Sequence, residues 1–155
     1  MKTMNLFVVG LMSSSLIAME LVWTRLFSAE FFYTFAFLTL SLAVMGLGLG
    51  ALVLHLWPRL DKKPSLGILL SLVGLTILIG PMLVFRINPD FSRLFSSIAV
   101  IIRFILTIVL LSSSFFFGGM ALALLFKKNH KEMPRLYMAD LLGAGIGVVH
   151  PLGRP

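Results

Sequence analysis

The feature that most constrains this chain is a pair of stretches, 65–85 and 104–126, in which no Asp, Glu, Lys or Arg interrupts the apolar residues. At a rise of about 1.5 Å per residue, each is long enough as a helix to cross a hydrocarbon core of about 30 Å. Composition agrees: 59% of the 155 residues are hydrophobic and 12% are charged, whereas a soluble domain carries charge on about a quarter of its residues. Lipid offers no partner for backbone N–H and C=O groups, which leaves helices or closed barrels, and long apolar runs without a two-residue alternation read as helices. The expected fold class is all-α, a polytopic transmembrane helix bundle.

Two further runs, 5–23 and 31–57, have spanning length. The first continues apolar past Ser13, Ser14 and Ser15, which exceeds the core of a secretory signal and predicts an uncleaved span. Arg25 and Glu30 then mark a polar turn, and Pro58 ends the second run before a short basic loop. After the third span, Asn88-Pro89-Asp90 reads as a helix start. Phe91, Leu94, Phe95, Ile98, Ile101 and Ile102 follow at spacings of three and four, which predicts an interfacial amphipathic helix over 89–102. The last run, 136–149, halts at His150-Pro151 before reaching the roughly twenty residues a crossing needs. The expectation is therefore four full spans and an incomplete fifth, a single partial membrane domain over 1–155 cut short within its last helix.

The net charge of +7 lies in the gaps between apolar runs, a pattern that orients a membrane protein and does not bind nucleic acid. Counting Lys and Arg on each side puts the N-terminus in the cytoplasm with Lys2, Arg59, Lys62, Lys63, Lys127, Lys128, Lys131 and Arg135. Trp23 and Tyr33 then fall at the outer border, Trp57 and Tyr137 at the inner one, as interface anchors in contact with the lipid bilayer. The chain has no cysteine, and His55, His130 and His150 stand far apart near run ends, so neither a metal nor a cofactor is implied. No nucleophile-base constellation or paired carboxylates are present, and nothing makes the chain an enzyme on its own.

The costliest residue is Glu20, because an ionised side chain deep in a bilayer costs at least about 2.5–3.5 kcal/mol. With Arg25 and Arg103 also assigned to the outer border, the expectation is an ionised Glu20 paired at the outer end of the first helix. Two roles remain open: a structural pair, or a cluster facing a cavity that takes a polycation or a coupling proton. Asp140, about one turn past Arg135, is a second ligand or ion-pair candidate. Gly46-Leu47-Gly48-Leu49-Gly50 lies inside an apolar run without a preceding strand, so it is not a dinucleotide fingerprint. Gly46 and Gly50, and likewise Ala139, Gly143 and Gly147, are spaced by four and read as helix-packing faces. Further helices, or a second copy of the chain, are the expected partners of these faces, which would be unmatched without them.

Three stretches together resemble the membrane domain of bacterial spermidine synthase-like membrane proteins. They are MELVWTRLFS at 19–28, SLAVMGLGLGALVLHLWPRL at 41–60 and FFFGGMALALLFKKNHKEMPRLYMADLLGAGIG at 115–147. The matching positions are Glu20, Trp23, Arg25, Gly46, Gly50, Tyr137, Asp140 and Gly143, and the stretch 61–110 does not take part. The resemblance implies a bacterial inner-membrane domain followed by further spans and a cytosolic domain similar to polyamine aminopropyltransferases, a transferase that this chain lacks. The expected role is a membrane anchor for that domain, and the alternative is a transporter subunit for a cationic small solute.

Overall fold

The computed structural model describes residues 2–30, 34–57, 63–87 and 97–152. They form five helices: α1 (Lys2–Glu30), α2 (Thr34–Leu56), α3 (Lys63–Ile87), α4 (Ile98–Lys128) and α5 (Met133–Leu152), with a single 3-10 turn at His130–Glu132 before α5. The first four contain stretches long and apolar enough to cross a membrane, Thr3–Ala29, Phe37–Leu56, Leu66–Ile87 and Ile98–Lys128. This is an all-α polytopic bundle of a multi-pass membrane protein.

Buried residues show how the helices run. Near one end, Val9 and Met12 of α1, Leu54 of α2, Leu69 and Val73 of α3, Leu124 and Leu125 of α4 and Leu136 of α5 share a cluster. Near the other, Met19, Trp23 and Phe27 of α1 meet Leu42 of α2, Val84 of α3 and Leu111 of α4. Leu16, Ala43 and Phe115 fill the middle. Helices α1 and α3 therefore run opposite to α2 and α4, and α4 packs against the other three. Large apolar side chains on the outer surface, such as Leu78, Met82 and Ile98, are well exposed, the arrangement expected where the solvent is hydrocarbon.

Lipid provides little hydrophobic drive between helices, so close backbone approach decides which faces meet. Gly46 of α2 has no room for a side chain, since a Cβ there would lie 2.8 Å from Phe115 Cβ and 3.0 Å from Ser112 O of α4. A Cβ on Gly50 would lie 2.8 Å from Met120 N and nearer still to Phe116 O, and from the α4 side Gly119 is pressed against Leu47. Gly48, between them, faces open space. Helix α5 lies along α1 in the same direction. Gly143 abuts Gly10, Gly147 abuts Ser14 with a would-be Cβ 3.0 Å from Ser14 Cα, and Ala139 O stands 3.3 Å from the Cβ position of Gly10.

Several expected boundaries change. The first span does not end at Trp23, because α1 continues through Arg25 to Glu30: a lone charge does not break a helix. Arg103 likewise lies within α4, which is continuous from Ile98 to Lys128, so 98–102 is not part of a separate interfacial helix. Ser97 sets that start, with extended backbone angles and its Oγ accepting from Ala99 N at 3.3 Å. The proposed start at Asn88-Pro89 lies outside the described residues, as does Tyr33. The fifth helix is longer than 136–149, since Pro134 fits its first turn and the helical backbone persists to Leu152, about 30 Å in all. Both small-residue faces are matched inside the chain.

Candidate functional site

The polar groups inside the bundle are the candidates, and α1 carries the principal one. Val9, Ser13, Leu16, Trp23 and Phe27 are all buried and succeed one another at helical spacing along one face of α1. Glu20, half-buried, occupies the position between Leu16 and Trp23 on that same face, three and four residues from its buried neighbours. It is therefore a seam residue and not a border residue. Its backbone carbonyl accepts from Thr24 Oγ1 at 2.8 Å, but among the described residues the carboxylate forms no hydrogen bond or ion pair.

Register excludes the expected Arg103 pairing. A Cβ on Gly118 would lie 2.8 Å from Leu16 Cδ1, which levels Leu16 with Gly118 on the oppositely running α4. Four residues along α1 bring the chain to Glu20, whereas Arg103 stands fifteen residues before Gly118, so the two differ in height by about 16 Å. Arg25 is exposed, on the opposite side of α1 from the seam, and engages another group. The charges proposed as one cluster are thus not brought together, because α1 and α4 both extend further than their uncharged cores suggested.

The α4 residue level with Glu20 is Ser114. Leu111 clusters with Met19 and Trp23, and Gly118 meets Leu16. Ser114, between Leu111 and Gly118 on α4, accordingly stands at the height of the α1 stretch between Leu16 and Trp23. It is fully buried, at 0% exposure, and its Oγ has no hydrogen-bond partner among the described residues. Ser112 Oγ is also buried without a partner, on the side of α4 that meets Gly46. An orphaned hydroxyl in a native interior calls for an explanation, since its desolvation costs about 1–3 kcal/mol. Neither serine is among the residues that the sequence points to; the stripe Thr107, Leu111, Ser114, Gly118 at helical spacing is the signal that marks Ser114.

Asp140 occupies a different site. Ser13, buried, donates from Oγ to Asp140 Oδ1, joining α5 to α1. Below it, Asn5 Nδ2 donates to Asn129 Oδ1 at 3.1 Å, while Asn129 Nδ2 caps α4 by donating to Leu125 O at 2.9 Å. Asp140 is far from Glu20 on this count, held by a neutral hydroxyl and not by the basic loop.

The aromatic anchors divide. Trp57 and Tyr137 are exposed at 64% and 59%, while Trp23 is 2% exposed and packs on Phe27 at a ring-centroid distance of 5.5 Å. Trp23 is therefore a core residue, and its expected border position fails because α1 runs almost two turns beyond it. A shallow apolar groove of about 340 Å³ lies between α2 and α4, lined by Met45, Gly46, Ile108, Ser112 and Phe116 among others. Among the described residues no group of three or more His, Cys, Asp or Glu side chains gathers to hold a metal. Comparison of the chain with protein-family models, with curated proteins and with solved structures finds no match.

Proposed function

We propose that this chain is a membrane-anchoring domain similar to that of bacterial spermidine synthase-like proteins, seated in an inner membrane with its N-terminus in the cytoplasm. Its role on this reading is to hold an aminopropyltransferase-like domain at the cytoplasmic face. One observation carries the proposal: each of the tight glycine contacts between helices involves residues of the three stretches that resemble the family, with Gly10, Ser14 and Leu16 of α1 among the partners from outside them. Met19, Trp23 and Phe27 come from the first, Ala43, Gly46, Gly50 and Leu54 from the second, and Phe115, Gly119, Leu124, Leu136 and Gly143 from the third. The stretch 61–110, outside the resemblance, contributes α3, which rests mainly on α4, and the first turns of α4 itself. Of the matching positions, Trp23, Gly46, Gly50 and Gly143 lie in helix contacts, as a shared scaffold requires, while Arg25 and Tyr137 are exposed. Lys127, Lys128, Lys131 and Arg135 at the end of the bundle where α1 begins support the orientation.

The test is to read the DNA downstream of Pro155 and the topology of the chain in cells. A frame continuing into further spans and a glycine-rich transferase domain supports the anchor, and a reporter at the N-terminus that becomes accessible from outside overturns the orientation. A second reading, a transporter subunit for a cationic solute, is favoured by the position of Glu20 on the seam. Uptake of a radiolabelled cation into vesicles that is unaffected by Glu20→Gln counts against it.

A further inference from the structure

We propose that Glu20 and Ser114 form a site for a single monovalent cation between α1 and α4, for which sodium is the probe. The inference stands independently of the anchoring role. Three observations converge. Glu20 sits on the contact face of α1, where its neighbours Leu16 and Trp23 are 3% and 2% exposed, and its carboxylate has no protein partner among the described residues. Ser114 sits at the matching height on α4 and is wholly buried with an unsatisfied Oγ. Among the described residues no hydrogen bond joins the two side chains, so both oxygen groups come to the α1–α4 contact unsatisfied by each other.

The chemistry of that group follows from what it meets. A carboxylate and a hydroxyl are hard oxygen ligands, which suit hard cations over soft ones. A single carboxylate balances one positive charge, and an unbalanced second charge in a low-dielectric interior carries a large desolvation penalty. Calcium and magnesium each need about six or more oxygens. The Glu20–Ser114 pair offers few, and no acidic cluster lies among the described residues to add more. A monovalent cation neutralises Glu20, accepts the lone pair of Ser114 and fills the rest of its shell with backbone oxygen or water. Gly118, one turn from Ser114, lets the end of Leu16 approach α4 closely, which holds the two helices together beside the pair.

The experiment uses the full chain in nanodiscs of neutral phosphatidylcholine. Trp23, three residues from Glu20, is the reporter once Trp57 is changed to Phe, since the chain contains two tryptophans. Sodium chloride is titrated against choline chloride at constant ionic strength and pH. A saturable change in Trp23 emission is expected, abolished by Glu20→Gln and shifted to about tenfold higher sodium by Ser114→Ala. Circular dichroism and gel filtration establish that each variant is folded. No saturable sodium response in the folded parent, an undiminished response in Glu20→Gln, or a response to pH with none to sodium overturns the site. An unchanged midpoint in Ser114→Ala overturns the part assigned to that hydroxyl.

Discussion

Gly50→Ala adds one carbon at the closest approach of α2 to α4, and its cost can be worked from the geometry. The new Cβ would lie 2.8 Å from Met120 N, so ordinary contact at 3.4 Å requires the two backbones to part by at least 0.6 Å there. Phe116 O, nearer still, asks for more, and neither atom belongs to a side chain that could swing away. A gap of about 0.5–1 Å forfeits a quarter to a half of each dispersion contact it opens. Overpacking of this kind costs about 1–3 kcal/mol. Against it stands the better helix propensity of Ala over Gly, about 1 kcal/mol. Gly48→Ala isolates that opposing gain, because nothing lies within 4 Å of its Cβ position. The expected result in reversible unfolding from mixed micelles is that Gly50→Ala is less stable than Gly48→Ala by about 2 kcal/mol, close to thirtyfold in the equilibrium constant. Equal stability of the two variants, or greater stability of Gly50→Ala, refutes the claim that glycine is there for helix approach.

Glu20→Leu is expected to insert more favourably by about 2.5–3.5 kcal/mol in a translocon assay, because it removes an acid from the interior of a span; no gain places the carboxylate at the border after all. Ser13→Ala is expected to weaken the α1–α5 association by about 0.6–1.7 kcal/mol, and Asp140→Asn, which still accepts from Ser13, by less. Equal effects of the two would show that the charge of Asp140 and not its hydrogen bond matters. The parallel course of α1 and α5 predicts an oxidative cross-link between Ser14→Cys and Gly147→Cys in a chain free of native cysteine, and none between Ser14→Cys and Arg135→Cys. The reverse pattern on a denaturing gel overturns the parallel arrangement.

Hydropathy made the number of spanning helices legible, since no soluble arrangement accommodates uncharged runs such as 65–85. Where it misled was at the ends. A span read from composition stops at the first charge, but a helix stops only where its backbone groups find other partners, and neither Arg25 nor Arg103 brings a cap or a breaker. That shift of several residues moved Glu20 from an apparent border into the middle of α1 and turned Trp23 from an anchor into core. The glycine spacing at 46 and 50 was plain, but its partner surface on α4 depends on which helices become neighbours, which no local pattern specifies. For α5 the partner was in principle visible, because Gly10 and Ser14 repeat on α1 the spacing of Gly143 and Gly147.

The polar residues of the α1 seam share one logic. Asn5, Ser13 and Glu20 recur every seven or eight residues, two helical turns apart, among Val9, Leu16 and Trp23. In a membrane an apolar face has no preferred height against its neighbour, since sliding exchanges one set of dispersion contacts for another. Polar groups remove that freedom, because a slip of one turn leaves each of them unpaired in hydrocarbon. Asn5 meets Asn129 at the α4–α5 turn and Ser13 meets Asp140 of α5, so the lower two fix the height of α5 on α1. Glu20 and Ser114 stand at the corresponding height between α1 and α4, and among the described residues no hydrogen bond joins them, while Ser114 Oγ is buried without a partner. A pair that served register alone would be as well met by a direct hydrogen bond, as the lower two are. The unmet pair is therefore where a ligand, and with it a dependence of α1–α4 packing on that ligand, enters the bundle.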